Sequence, residues 1–219
     1  MRFKILLLCF ALLSAFTVKS YVPTTVKDMP KFDLSERNLI EQLASNTDTC
    51  EFNEAMPVDE ASVYRYELYA KYPQVTLNYS PRFKMYGYAA DTKFCYGYHV
   101  TLISEKSGSI RYEQLKEATS ETIEKLQGKT DQEKATKVKE WIRSNCKYTK
   151  KKNNMWDECL YGCLVKGSAT CLGYSEAMFY MMNELNVPCR IVTNKYHAWN
   201  EVYIDGKWVK YDVTLGQSG

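Results

Sequence analysis

Residues 167–185 read GSATCLGYSEAMFYMMNEL, and this stretch decides the fold. Four small residues, Gly167, Ser168, Ala169 and Thr170, lead into Cys171. After it, Ala177, Met178, Met181 and Leu185 recur at helical spacing, and Pro188 follows. The pattern predicts a helix that starts at Cys171 and ends before Pro188. Methionines at that spacing are core filler. The cysteine is different. The thiolate, not the thiol, is the nucleophile, and a free thiol is mostly protonated at neutral pH. The unpaired N–H groups and the dipole of a helix N-terminus favour negative charge. The N–H of Cys171 is also placed to donate to a developing oxyanion. The plainer alternative is that Cys171 is half of a disulfide or a buried thiol.

A nucleophilic cysteine needs a base. The chain has two histidines. His99 lies in CYGYHVTLI, inside a predicted strand of the first half. His197 opens HAWNEV, downstream of Cys171. CRIVTN, HAWNEVYI and KWVKYDVTL read as strands, and Asp205-Gly206 marks a two-residue hairpin turn. Such a turn pairs Ile204 with Lys207. Counting back, position 214 falls opposite His197 and Asp212 opposite Trp199. His197 and Asp212 are then diagonal neighbours on one face, within reach of a carboxylate–imidazole hydrogen bond. Cys171, His197 and Asp212 are therefore the candidate catalytic residues. Singly, each has a bland reading: a disulfide half, a satisfied histidine, a turn carboxylate.

Upstream, TDQEKATKVKEWIRSNCKY opens on Thr130 and Glu133, the spacing of a capping box, with Val138, Trp141, Ile142 and Cys146 as an apolar stripe. KKNNMWDECLYGCLVKG reads as irregular, with a helical turn around Cys159 and Cys163. In the first half, DLSERNLIEQLASN and VDEASVYRYELYAKYP read as helices. QVTLNYS, RFKMYGYAA and KFCYGYHVTLIS read as strands closed by the turn EKSGS. IRYEQLKEATSETIEKLQ follows as an amphipathic helix stopped at Gly128.

The segments YGCLVKGSATCLGYSEAM, LNVPCRIVTN and HAWNEVYIDGKWVKYDVT, in that order, resemble the core of the transglutaminase-like superfamily. More closely, they resemble secreted transglutaminase-like proteins of Gram-positive gut bacteria. The likeness covers roughly residues 130–215. It implies an α+β, papain-like core, with the active cysteine at a helix N-terminus packed on an antiparallel sheet. It also implies that the family's cysteine, histidine and aspartate fall on Cys171, His197 and Asp212. A second oxyanion donor is not identifiable, although an upstream tryptophan serves in some relatives; Trp141 and Trp156 are the candidates here.

The N-terminus reads as an address. Arg2 and Lys4 precede the apolar run ILLLCFALLSAF, too short to span a bilayer, with Val18 and Ser20 before a cut. The expected organisation is a signal peptide over 1–20, an α+β region of unassigned role over 21–125, and the transglutaminase-like core over 126–219. The protein is expected to be secreted, with no membrane span after cleavage. Removing Cys9 leaves seven cysteines, which three disulfides and one reactive thiol would account for. A net charge of +3 is too small and too scattered to argue for nucleic acid, and the run Lys150-Lys151-Lys152 reads as a solvated loop.

The expected activity is therefore that of a cysteine enzyme on protein or peptide amide bonds. It works through an acyl-enzyme, hydrolytically rather than by cross-linking, with no cofactor and no metal. The alternative is a secreted, non-catalytic binding module on the same fold. A zinc site from Cys159, Cys163, Cys171 and His197 is a third arrangement, opposed by the loose spacing.

Overall fold

The segment after Cys171 folds as the expected helix, and it is the most deeply buried helix of the protein. The structure, a computed structural model, describes residues 33–87, 93–150 and 154–215. The signal-peptide reading of residues 1–20 lies outside them, as does the lead-in that follows it. Among the described residues no helix is long and apolar enough to cross a membrane.

In chain order the elements are α1 (Asp33–Ala44), β1 (Thr49–Pro57), α2 (Val58–Lys71), the single turn α3 (Pro73–Thr76), β2 (Lys84–Tyr86) and β3 (Phe94–His99). Then come α4 (Glu105–Leu126), α5 (Asp131–Asn145), β4 (Lys147–Tyr148), a 3-10 turn (Met155–Glu158), a π-turn (Gly162–Lys166) and β5 (Ser168–Ala169). The chain closes with α6 (Cys171–Glu184), β6 (Cys189–Thr193), β7 (Ala198–Ile204) and β8 (Lys207–Tyr211). The fold is α+β. One antiparallel sheet has the order β1-β3-β2, another the order β6-β7-β8, and β4 pairs with β5 in parallel.

Burial explains the packing. α6 carries ten buried residues, from Gly173 to Met182, and is covered by α2, α5, β6 and β7. A helix apolar all round belongs at the centre. Leu39, Leu68 and Tyr98 from the first half share one buried cluster with Met178, Val202 and Val213 from the second. The capping box is formed: Thr130 Oγ1 accepts from Glu133 N, and Glu133 returns a carboxylate to Thr130 N at 2.9 Å.

The sequence reading is corrected in four places. QVTLNYS is not a strand. Pro73 starts a helical turn, Thr76 Oγ1 donates back to Tyr69 O at 2.7 Å, and only Tyr79 makes a bridge, to Leu102. EKSGS is not a turn but the start of α4, capped by Ser104, whose hydroxyl accepts from Ser107 N at 3.2 Å. Gly108 is there for contact, since a Cβ would overlap Asn78. Thr49–Pro57 is a strand that the sequence did not announce, because its register shifts between Glu51 and Met56 and breaks the alternation. Finally, the seven cysteines among the described residues are all free thiols, so the three expected disulfides are not formed in this structure.

Candidate active site

Cys171 is the first residue of α6, and its neighbours show why the chain turns there. Gly167 has φ of 71°, a left-handed conformation that ends the π-turn. β5 follows and runs parallel to β4, with Lys147 opposite Ser168 and Tyr148 opposite Ala169. Thr170 N donates to Asp157 O at 2.8 Å, which fixes the residue before the cysteine. Thr170 makes no side-chain cap and the first turn of α6 holds no acidic residue, so no carboxylate competes there. Gly173 lets the helix start close to its support: a Cβ would stand 2.8 Å from Ala169 Cβ and 2.9 Å from Cys159 O. Leu160 N donates to Glu176 Oε2 at 3.0 Å, tying the preceding segment to α6. Burial pushes the Glu176 carboxyl well above its ordinary value. Cys171 itself is half-buried.

His197 and Asp212 lie on the sheet beside this helix. Asp205 and Gly206 have φ of 49° and 81°, which fits a two-residue I′ hairpin turn. The ladder is the one counted from that turn: Ile204 pairs with Lys207 and Asn200 with Tyr211. His197 Nε2 is 2.8 Å from Asp212 Oδ2. Thr214, just past the end of β8, bonds the other carboxylate oxygen, with its hydroxyl at 2.8 Å and its N–H at 3.1 Å from Oδ1. Burial alone would raise the Asp212 carboxyl, but the bonds from His197 and Thr214 outweigh it and hold it below the ordinary range.

The short loop before the histidine is pinned. Asn194 Oδ1 accepts from the N–H groups of Tyr196 and His197, each at 2.8 Å, and Asn194 N donates to His197 O at 2.9 Å. Trp199 stacks on the imidazole, with ring centroids 6.1 Å apart and planes 25° apart. Asn200, fully buried on β7, donates from Nδ2 to Ser175 O at 3.0 Å, and Ser175 Oγ donates to Cys171 O at 3.0 Å. The nucleophile helix and the histidine strand are thus joined through two side chains.

Tyr148 was not singled out in the sequence. Burial first, then the charges of Cys171 and Asp212, raise its phenol above the ordinary value, and its ring packs edge-on against Tyr174 on α6. The two tryptophans considered as donors make other contacts. Trp141 lines a groove of about 470 Å³ with Glu121, Lys125 and Lys137, and Trp156 is held between Tyr161 and the Arg111 guanidinium. His99, the other histidine, faces Thr49 Oγ1 and the Tyr86 ring on the far sheet. Among the described residues, no group of three or more His, Cys, Asp or Glu is disposed to hold a metal ion.

Cys171 starts the helix that packs on β7, and just before β7 stands His197, whose imidazole is held by the Asp212 carboxylate. Residues 117–213 match the model of the transglutaminase-like superfamily. A solved structure described as a TGase aligns over 64% of this chain and 45% of its own, at 16% identity and a TM-score of 0.44. Another, from Cytophaga hutchinsonii and described as a candidate cysteine protease, aligns over 63% of each chain at 14% identity and a TM-score of 0.38. The chain spans less than two-thirds of either structure. No curated protein matches it.

Proposed function

We propose that the protein is an exported cysteine enzyme acting on amide bonds of proteins or peptides. Cys171 attacks the carbonyl carbon. His197 takes the thiol proton and passes it to the leaving amine. Asp212 holds the imidazole through Nε2, which leaves Nδ1 for the proton transfer. The resulting thioester is resolved by water, the simpler acceptor, so the reaction is hydrolysis rather than cross-linking. The N–H of Cys171 and the phenol of Tyr148 are the donors for the oxyanion. Tyr196 and Leu215, 82% and 62% exposed and adjoining the His197 and Asp212 segments, offer apolar surface to a peptide. No cofactor enters this reading. Export rests on the sequence of residues 1–20.

The observation that carries the proposal is the 2.8 Å bond between His197 and Asp212 on the sheet against which the Cys171 helix packs. The test is alkylation of the mature protein with iodoacetamide at mildly acidic pH, without reductant, mapped by mass spectrometry. Selective labelling of Cys171, lost in His197→Ala, is expected, followed by cleavage of a fluorogenic peptide library. An unlabelled Cys171 would overturn the catalytic reading and leave the fold as a binding module.

A further inference from the structure

A polar side chain sits in the interface between the nucleophile helix and the histidine strand. Asn200 is fully buried on β7, the central strand, paired with Ile191 on β6 and with Tyr211 on β8. It follows His197 by three residues, and its partner Tyr211 immediately precedes Asp212. Its Nδ2 donates across the interface to Ser175 O on α6 at 3.0 Å, and lies 3.6 Å from Cys189 Sγ at the start of β6. Ser175, also buried, stands one turn beyond Cys171 and donates from Oγ to Cys171 O at 3.0 Å. Apolar side chains surround this contact: Met178 and Met181 of α6 and Val202 and Ile204 of β7 share one buried cluster.

Stability alone does not account for an amide in that place. Ser175 lies inside α6, where its carbonyl also belongs to the helical ladder, so the bond from Asn200 is an additional one. The other end of the amide, Oδ1, is buried and accepts no hydrogen bond from the described residues. A buried polar group left half-satisfied costs stability relative to an apolar residue of the same shape. What the apolar residue lacks is direction. Hydrophobic burial is non-directional, whereas a hydrogen bond fixes the relative position of its two ends. Local rules of packing are broken in this way where function needs it.

Given Cys171 as nucleophile and His197 as base, the reading on which this rests, we propose that Asn200 is a positioning residue. Its bond to Ser175 sets where α6 lies along β7, and so aligns Cys171 with His197. Asn200 touches no reacting atom. It acts through the two elements that carry them: α6, with the nucleophile as its first residue, and β7, which begins just after the base. The role gives opposite signs for stability and reactivity. A leucine at 200 removes the unpartnered carbonyl and keeps the core filled, while Cys171 and His197 lose their alignment.

The experiment compares the mature wild-type protein with Asn200→Leu, Asn200→Ala and His197→Ala. Tm is measured for each, together with the second-order rate constant for iodoacetamide labelling of Cys171, mapped by mass spectrometry over a series of pH values below each Tm. Wild-type labelling at mildly acidic pH should exceed that of His197→Ala. Asn200→Leu should keep or raise Tm and lower this labelling on the order of 10-fold, less than the roughly 10²-fold that misplacement by an ångström costs. At alkaline pH, where an accessible thiol ionises without help, its rate should return to the wild-type value. Asn200→Ala opens a space in the core, so it should lower Tm and labelling together, and it decides the matter if the leucine variant does not fold. A merely structural Asn200 would move Tm and leave the pH profile of labelling in its wild-type shape; that result in either folded variant would overturn the proposal. Wild-type labelling that does not depend on His197 would instead overturn the reading of the site, and the positioning role with it.

Discussion

His197 Nε2 and Asp212 Oδ2 are 2.8 Å apart, and the second oxygen of the same carboxylate is taken by Thr214. The carboxylate is thereby saturated on both sides, although its side chain is only 3% exposed. An ionised acid that accepts from Nε2 fixes the tautomer in which Nδ1 carries the lone pair. Thr214 follows β8 past Asp212, and its hydroxyl is 3.3 Å from Nε2.

Asp212→Asn is expected to keep the fold and lose activity. An amide that turns its NH₂ toward Nε2 favours the wrong tautomer, and comparable changes in triads lower kcat by about 10⁴-fold. Steady-state kinetics on a peptide substrate measure this. Acid stability gives a second readout. The folded carboxyl sits below its ordinary 3.8, so its contribution is full above that pH and fades as pH falls through the lower folded value. The stability difference between wild type and Asp212→Asn should shrink over that acid range, and a difference constant down to pH 2 would count against the pairing.

Tyr148→Phe removes one hydroxyl from a residue that feels the charges of both Cys171 and Asp212. As an oxyanion donor, its loss should lower kcat by roughly 10²–10³-fold and leave KM nearly unchanged. Iodoacetamide labelling of Cys171 should persist, because alkylation forms no oxyanion. A rise in KM alone, with kcat intact, would place Tyr148 in substrate binding instead.

Asn194→Ala deletes the oxygen that holds two consecutive N–H groups, those of Tyr196 and His197. The loop would lose its Asx-type turn, and the imidazole would no longer be aimed by the backbone. Misplacement of a catalytic group by an ångström costs about 10²-fold in rate, so a loss of 10- to 100-fold in kcat/KM is expected. Asn194→Asp retains the acceptor and should retain most of the activity.

The site was legible where local chemistry sets geometry. Asp205-Gly206 fixes the hairpin type, the hairpin fixes the register, and the register brings Asp212 to His197. Gly167 to Thr170 announce the start of α6 for the same reason. Tyr148 was hidden because its place depends on a parallel pairing of two-residue strands, β4 with β5, which leaves no period in the sequence. Asn194 was hidden because an Asx turn looks like any polar loop. In the first half, the bulge in β1 erased its alternation, and Val75, Leu77 and Tyr79 alternate like a strand while Pro73 and Thr76 wind the segment into a turn. Tertiary packing overrode the local pattern there.

Glu67 makes stability depend on pH near neutrality. It lies on α2 and accepts from Ile191 N at 2.7 Å, closing the outer edge of β6. Lys71 on its own helix, Glu36 on α1 and Arg190 on β6 face it. Burial dominates these and pushes its carboxyl from 4.5 up to about 7. Because the folded value exceeds the unfolded one, the folded chain binds more protons between them, and stability falls as pH rises from 4.5 to 7. The full loss is about 3 kcal/mol, complete above the folded value. Glu67→Gln keeps an acceptor for Ile191 N and cannot ionise. Urea unfolding at a series of pH values should show the slope between pH 5 and 7 reduced in this variant, with a gain of about 3 kcal/mol at pH 8. Parallel wild-type and variant curves across that range would mean that Glu67 stays ionised in the folded protein, balanced by Lys71 and Arg190.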